Sequence, residues 1–256
     1  MRRYLAVVAI VLIASCASPD RVIMAAGTTL VDGGLIPELV AAYEAANPGT
    51  AISVVAESSA RILDLGARGA ADILITHAPG LEAAFVDAES PRLTVGVFES
   101  RFVLVGPAGL APDGLGFDEA LGWIRQHGGP FVSRGDGSGT HEAELAAWGR
   151  LGGSPVGEPW YIETGQGMGL TLQVADQRAA FTIAEEGALI AAAGLLDIEE
   201  VATTDWPSNP YTLTIPADAS GDAEDFADWL MSESGRTALS AINTALYGRQ
   251  VYAPTG

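Results

Sequence analysis

The chain has 256 residues, 48% of them hydrophobic, and its 32 acidic and 13 basic residues give a formal charge of −19. This length and composition predict a globular protein with a sizeable core, made of one large domain or two smaller ones. The charge excludes a nucleic-acid-binding surface, because a polyanion would be repelled and no basic stripe reverses the repulsion. The single cysteine, Cys16, excludes an internal disulfide.

The N-terminus is predicted to be an export signal and not part of the fold. Two arginines precede an apolar run over residues 4–13, which is shorter than the roughly 20 residues that span a bilayer. The run ends in small residues before Cys16, a pattern typical of a lipoprotein signal. We therefore expect residues 1–15 to be cleaved, residues 16–20 to form a tether, and a lipid on Cys16 to anchor the chain at the periplasmic or extracellular face of the membrane.

The predicted elements alternate between short apolar strands and amphipathic helices. Strands are predicted at 21–26, 51–56, 72–76, 101–107, 131–133, 160–163, 179–184 and 209–216. Helices are predicted at 35–43, 61–68, 81–87, 117–126, 141–150, 170–177, 224–231 and 236–242. Asp32, in the loop that precedes the first helix, is a candidate N-cap for it. This alternation predicts an α/β fold in which mostly parallel sheets are flanked by helices.

Four loops lead from a predicted strand to a predicted helix, at 27–34, 57–60, 134–140 and 164–169. In α/β sheets, ligands bind beyond the carboxyl ends of the strands, where such loops lie. These loops carry hydroxyl side chains or glycines. The sequence therefore predicts that they converge on one binding site.

The loop with the most candidate hydrogen-bond donors joins the strand 131–133 to the helix 141–150. Arg134 supplies a planar fork of donors that stays charged, and a helix start supplies backbone N–H groups that glycine lets a ligand approach closely. Hydroxyl pairs follow two other strands, so the pattern predicts an oxyanion site. The alternative is that the hydroxyls only cap helices. The predicted anion ligands are Thr28, Thr29, Ser58, Ser59, Arg134, Ser138, Gly139 and Thr140.

Motifs that would indicate an enzyme or a metal centre are incomplete. Asp136 and Thr140 flank Ser138 where the G-x-S-x-G pattern of a hydrolase needs glycines. Leu145 stands where H-E-x-x-H needs its second histidine, and a P-loop needs a lysine, which this sequence lacks. We therefore expect no enzyme, no metal centre and no cofactor. A regulatory sensor with this fold would be expected to carry a DNA-binding or membrane-signalling segment, and the sequence shows none.

Several long, collinear segments resemble the tungstate-binding components of ABC transporters, the TupA-type substrate-binding proteins. The segments are GARGAADILITHAPGLEAAFV, FVLVGP, SRGDGSGTHEAELAAWGRLG, WYIETGQGMGLTLQVADQRAAFTIAEEG and NPYTLTIP. The resemblance implies a type II periplasmic-binding fold, in which two α/β lobes joined by crossing hinge strands close on an oxyanion. It also implies delivery to a membrane permease driven by an ATPase. The lobes would comprise residues 21–105 plus 208–256 and residues 106–207, and a monomer is expected.

The family motifs map onto this chain residue by residue, with departures. The motif S-R-G-D-x-S-G-T-H is complete at 133–141, and G-Q-G-M-G is complete at 165–169. The second motif adds Gly167, Met168 and Gly169 as further candidate ligands. Part of an N-terminal hydroxyl run is missing, and Ser58-Ser59-Ala60 stands for a glycine-threonine-glycine turn. Glu185-Glu186-Gly187 replaces an aspartate-arginine-glycine.

The resemblance predicts tungstate, or else molybdate, as the ligand, with phosphate as the alternative. Phosphate-binding receptors share a similar R-x-D-x-S-G-T turn, so a phosphate receptor is the main alternative. Phosphate keeps a proton at neutral pH and favours a carboxylate acceptor, whereas tungstate and molybdate are fully deprotonated and would be repelled by an unpaired carboxylate. Asp136 is the candidate acceptor, but it could instead pair with Arg134 or cap the following helix.

Overall fold

The computed structural model describes residues 21–112, 114–202, 204–205 and 207–255. The predicted signal at 1–15, the tether at 16–20 and the lipidation site Cys16 lie outside the described residues. Within the described ranges, no helix combines the length and the hydropathy that a membrane span requires.

The structure contains the alternating elements that the sequence predicts, with bounds that differ at most ends. The strands are β1 (Arg21–Gly27), β2 (Ala51–Glu57), β3 (Ile73–Thr76), β4 (Leu93–Pro107), β5 (Phe131–Ser133), β6 (Tyr161–Glu163), β7 (Thr182–Glu185), β8 (Ile198–Glu200), β9 (Ser208–Ile215) and β10 (Ala253–Pro254). The helices are α1 (Thr28–Asp32), α2 (Leu35–Ala46), α3 (Ser59–Ala67), α4 (Pro79–Glu89), α5 (Phe117–His127), α6 (Gly139–Arg150), α7 (Met168–Gln177), α8 (Glu186–Ala191), α9 (Asp222–Met231) and α10 (Glu233–Tyr247).

The first lobe is built around β1, which pairs in parallel with β2 on one side and β3 on the other. Successive side chains of β1 point to opposite faces, and both faces are covered. Met24 packs into a core with α2, α9 and α10, while Ala25 packs with Ile62 and Phe85 from α3 and α4. Burial on both faces explains why β1 is a continuous apolar run.

The second lobe has its own core. β5 and β6 pair in parallel, and Phe131 also bridges Phe181 just before β7. Phe131, Trp148 and Phe181 are fully buried in one cluster with the apolar face of α5. Aromatic contacts fix the packing, because the rings of Phe131 and Trp148 meet edge to face at 5.1 Å.

The long strand β4 belongs to both lobes. Its first part, from Leu93 to Arg101, pairs antiparallel with β9. Its second part, from Phe102 to Pro107, pairs antiparallel with β7 and β8. The two-lobed α/β class predicted from the sequence is confirmed. The parallel pairs β1–β2, β1–β3 and β5–β6 are the ones whose carboxyl ends carry the predicted loops.

Two local predictions are wrong. The predicted loop 27–34 contains the helix α1, which a local pattern cannot reveal because five residues are too few for a stable isolated helix. Burial of Thr29 and Leu30 stabilises it instead. Asp32 ends α1 and does not cap α2, whose N-cap is Gly34 with a left-handed φ of 84°. The elements α8, β8 and β10 and the first part of β4 were not predicted.

Candidate functional site

The N-terminal ends of four helices, each the next helix after a strand, meet between the lobes. α1 and α3 follow β1 and β2 of the first lobe, and α6 and α7 follow β5 and β6 of the second. A Cβ built on Gly167 would lie 3.5 Å from Oγ1 of Thr28, and one built on Gly137 would lie 3.6 Å from Cβ of Ala60. The predicted convergence of the loops is therefore present in the structure.

Arg134 joins the two lobes from the centre of this region. Its side chain is 1% exposed, although it belongs to a residue type that is rarely buried without partners. Its terminal nitrogens donate to Oγ1 of Thr29 at 3.2 Å and to Oγ1 of Thr28 at 3.2 Å, across 105 and 106 residues of sequence. Its Nε has no hydrogen-bond partner among the described residues. The guanidinium is thus fixed in place and keeps the Nε–H donor free within the described residues.

Asp136 pairs with Arg134, which is one of the alternatives left open by the sequence. Its Oδ2 accepts from Arg134 at 2.6 Å, and its Oδ1 accepts from the backbone N–H of Ser138 at 3.1 Å. The pair leaves little net charge on the loop. Asp32 also lies in the field of Arg134, and its pKa is raised by partial burial although the guanidinium opposes that shift.

Ser138 serves as the N-cap of α6, because its Oγ accepts from the backbone N–H of His141 at 3.3 Å. The backbone N–H of Ser138 was expected to be free for a ligand, but it donates to Asp136. Only the hydroxyl proton of Ser138 is left to donate. Ser138 therefore caps a helix, as the alternative interpretation predicted, but its hydroxyl can still donate to a ligand.

Thr140 and His141 carry unused polar atoms at the start of α6. Thr140 is fully buried, and its Oγ1 has no partner within the described part of the chain. Nδ1 of His141 accepts from the backbone N–H of Gly137 at 3.2 Å, so a neutral ring carries its proton on Nε2, which is also buried and unpartnered in the described ranges. Buried polar atoms without partners are rare and call for an explanation. A ligand that accepts hydrogen bonds provides one.

Gly139 is required by a contact between the lobes. A Cβ built there would lie 2.0 Å from the carbonyl oxygen of His77. The sequence predicted that a glycine here lets a ligand approach the backbone. In the structure it is the first lobe that approaches, and no larger residue fits.

The remaining predicted residues line the same region in different ways. Ser59 is buried at the start of α3, and its Oγ lies 3.5 Å from the backbone N of His77. Ser58 is the N-cap residue by position, but its side chain makes no capping bond. Gly167 precedes α7 beside Thr28.

The side chain of Met168 packs into the second-lobe core with Val103 and Leu172, so only its backbone could face a ligand. Gly169 is exposed on α7, and a Cβ built on it meets nothing within 4 Å. Neither Met168 nor Gly169 therefore places a side chain in the site.

Sequence reasoning missed Thr76 and His77, which follow the apolar run of β3 at its carboxyl end. Both are buried, and Oγ1 of Thr76 has no partner among residues that the structure describes. Nδ1 of His77 lies 2.9 Å from Oδ1 of Asn209, and burial lowers the pKa of His77 to about 4. Two polar residues at the end of an apolar strand were the available signal. The predicted site, however, included only the loops after four other strands.

In the family that this sequence resembles, an aspartate and an arginine stand at the positions of Glu185 and Glu186. Both glutamates have partners near the strands that connect the lobes. Glu185 is buried and accepts from the hydroxyl of Tyr252 at 2.8 Å; burial raises its pKa. Glu186 pairs with Arg101 at 2.9 Å and with Arg249 at 2.5 Å. Across the described residues, no group of three or more histidine, cysteine, aspartate or glutamate side chains is placed to hold a metal ion.

Comparisons with known proteins identify the family. A model described as a PBP superfamily domain matches residues 14–234. The tungstate-binding protein TupA of Peptoclostridium acidaminophilum is 32% identical over 251 residues, which cover 91% of this chain and 85% of the relative. The solved tungstate-binding protein TupA of Desulfovibrio alaskensis G20 is similar with a TM-score of 0.75 at 28% identity, covering 92% of this chain and 99% of that one.

A second solved structure, of the tungstate ABC transporter from Geobacter sulfurreducens, is similar with a TM-score of 0.77 at 32% identity. It covers 87% of this chain and 98% of the other. The family model spans most of the sequence. Both solved structures share the two-lobed architecture of this chain. The chain therefore belongs to the PBP superfamily and, within it, to the family of the TupA tungstate-binding proteins.

Proposed function

We propose that this chain is the extracytoplasmic solute-binding component of an ABC importer, not an enzyme. It captures a tetrahedral oxyanion, tungstate above all and molybdate as its closest analogue, and delivers it to a membrane permease driven by an ATPase. One observation carries the proposal: the buried guanidinium of Arg134 joins Thr28 and Thr29 to the second lobe where the helix N-termini meet. The names of the similar proteins support tungstate as the ligand.

The site is built to donate hydrogen bonds. Arg134 donates to the hydroxyl oxygens of Thr28 and Thr29, so their own protons are free to point elsewhere. The unpartnered hydroxyl of Thr140 and the N-terminus of α6 add further donors. An anion that only accepts hydrogen bonds matches such a set.

Dipoles must do most of the binding, because Asp136 offsets the charge of Arg134 and the whole chain carries −19. A hydrogen bond to a charged group contributes roughly 1.5–3 kcal/mol net. Six or seven such bonds would reach the roughly 12 kcal/mol of nanomolar affinity after the cost of association. The predicted ligands can supply that number from hydroxyls and backbone N–H groups.

Phosphate is the weaker alternative. A phosphate proton needs an acceptor, and Asp136 is the carboxylate in the loop that the sequence offered for this role. Both of its oxygens already accept, from Arg134 and from the backbone of Ser138. A protonated anion would have to share these oxygens with the existing donors, whereas a fully deprotonated one needs no acceptor.

We extend the proposal to the domain plan and the location. Residues 21–105 plus 208–256 form the first lobe and 106–207 the second, which the two separate cores support. The change of partners along β4 lies between Arg101 and Phe102, four residues before the boundary proposed from the sequence. The chain works as a monomer outside the cytoplasm, held to the membrane by a lipid on Cys16 after removal of residues 1–15.

Calorimetry on the chain without its N-terminal 20 residues tests the ligand. Tungstate, molybdate, sulfate and phosphate are titrated separately at pH 7.5. We expect tungstate to bind in the nanomolar range, molybdate next, and phosphate at least a thousandfold more weakly. Phosphate binding tightest would overturn the proposal, and so would steady turnover of phosphate esters.

A further inference from the structure

Helix α8 of the second lobe also packs against the first lobe. Leu189 and Ala192 pack on the cluster that contains Leu172 of α7, whereas Ile190 packs against the core of the first lobe. The C-terminal half of α8 borders a cavity of about 200 Å³, which Thr29 and the end of α1 line from the other side. The helix therefore reaches from the strands that connect the lobes toward the anion site.

The start of α8 is in direct contact with the C-terminal segment of the first lobe. Glu185, the N-cap residue of α8, accepts from the hydroxyl of Tyr252 at 2.8 Å. A Cβ built on Gly187 would lie 2.6 Å from the same hydroxyl oxygen, so the helix comes closer to this tyrosine than a larger residue at 187 would allow. The first turn of α8 can leave the first lobe only by breaking these contacts.

Glu186 connects the same turn to two arginines of the first lobe. Its side chain is 8% exposed, and its carboxylate lies 2.5 Å from Arg249 and 2.9 Å from Arg101. Arg101 also pairs with Glu200 at 2.9 Å. Both carboxylates belong to the second lobe and both guanidinium groups to the first, so each of these three pairs joins the two lobes.

The two pairs of Glu186 differ in how they depend on closure of the lobes. Arg101 lies in β4 at the point where this strand changes its partner from β9 to β7. A rotation of the lobes about β4 preserves the distance from Glu186 to a point on the strand, and so preserves the pair with Arg101. Arg249 follows α10 and lies outside the strand, so the same rotation changes its distance from Glu186.

We propose that Glu186 is a positioning residue for the anion site: its pair with Arg249 is a latch that is complete only when the lobes are closed and that slows release of the bound anion. This inference rests on the proposed function and adds a determinant of its release rate. The latch holds the second lobe, with Arg134, against the first lobe, with Thr28 and Thr29. It forms after capture, so it affects the dissociation rate and not the association rate.

The size of the effect follows from the exposure of the latch. The side chain of Arg249 is 56% exposed, so the pair contributes what a surface ion pair contributes. Its loss should raise the dissociation rate of tungstate about fivefold. Salt screens exposed pairs, so a high NaCl concentration should narrow the difference between the wild type and a protein without the latch.

The test measures the release of tungstate at pH 7.5 from the chain without its first 20 residues, which contains no cysteine. Fluorophores are attached through E89C in the first lobe and V156C in the second, both exposed positions. Energy transfer between them reports opening of the lobes after loaded protein is mixed with an excess of unlabelled protein, which traps the released anion.

The variants are R249Q, E186Q and the double change. R249Q leaves Glu186 its pair with Arg101, so the buried carboxylate keeps a counter-ion. R68Q is the matched control, because Arg68 is similarly exposed, at 69%, but pairs with Asp64 within the first lobe. Each protein is measured at low and at high NaCl concentration.

We expect R249Q to release tungstate about fivefold faster than the wild type at low salt, with the same association rate. R68Q should match the wild type. In the E186Q background, R249Q should have no further effect, because the pair is already lost. A release rate of R249Q within twofold of the wild type, or an equal effect of R249Q in both backgrounds, would overturn the inference. Slower association without faster release would also contradict it.

If no protein binds tungstate, the proposed function fails, and the latch is judged without ligand. Single-molecule energy transfer then records how long the lobes stay closed in each spontaneous closure. These closed periods should be about fivefold shorter in R249Q than in the wild type and R68Q. Equal closed periods in all three proteins would refute the latch.

Discussion

Removing the guanidinium of Arg134 is the sharpest perturbation of the proposed site. The change Arg134→Ala deletes bonds of 3.2 Å to Thr29, 3.2 Å to Thr28 and 2.6 Å to Asp136. It therefore acts on both lobes at once. The carboxylate of Asp136, only 12% exposed, keeps its contact with Ser138 but loses its counter-ion.

The magnitude follows from these contacts. Removing one partner of a buried ion pair lowers the free energy of unfolding by about 3–5 kcal/mol, because an uncompensated charge stays buried. An unpaired Asp136 would also repel an anion directly. We expect tungstate affinity to fall at least a hundredfold, since each 1.4 kcal/mol is a factor of ten.

A double change separates the two effects. Arg134→Ala with Asp136→Asn removes the guanidinium and the unpaired carboxylate together, so it should recover part of the stability and only that share of the affinity that repulsion by Asp136 removed. Arg150→Ala is the matched control, because its pair with Asp118 is half exposed in the same lobe, with side chains 50% and 46% accessible. Exposed pairs contribute about 0–1 kcal/mol, so this variant should bind normally.

The assay is calorimetry with tungstate at pH 7.5, combined with urea unfolding of each ligand-free variant. The unfolding curves show whether weaker binding reflects a lost ligand contact or a damaged lobe. If Arg134→Ala binds tungstate within threefold of the wild type while remaining folded, the anion does not bind at this guanidinium and the site must lie elsewhere.

Three further predictions probe neighbouring groups. Gly139→Ala should weaken tungstate binding at least tenfold in calorimetry with little loss of ligand-free stability, because its Cβ would overlap His77 only when the lobes meet; Gly169→Ala, with open space around it, should bind normally. Thr140→Val should lower affinity by roughly 1–2 kcal/mol through the lost hydroxyl, while its melting temperature stays the same or rises; unchanged affinity would remove Thr140 from the site. Glu144, which accepts from the hydroxyl of Tyr161, has its pKa raised from 4.5 to about 7 mainly by burial. The folded state therefore binds the extra proton, and stability should fall by about 3 kcal/mol as the pH rises from 4.5 to 7. Urea unfolding of Glu144→Gln should lack this decline; a parallel decline in the variant would contradict the assignment.

Local sequence was sufficient for eight of the strands, eight of the helices and the site loops, but not for α1, α8, β8, β10 or the first part of β4. Apolar runs predict strands because their burial is set by the side chains themselves, and glycine-hydroxyl turns predict helix starts because their backbone chemistry is local. The convergence of Thr28, Thr29 and Arg134 was also predictable. Parallel strands end at a common edge, so loops that follow them come together. That these residues bind an anion stays a prediction.

Contacts between distant segments were decided by the tertiary structure. The sequence left three roles open for Asp136; the structure pairs it with Arg134, while the cap of α6 is Ser138. Gly139 is needed because His77, on another lobe, occupies the space of a side chain. The short helix α1 forms because tertiary burial replaces the propensity that five residues lack. Periodicity reports which face of an element is buried, but the neighbour that buries it depends on how the two lobes come together.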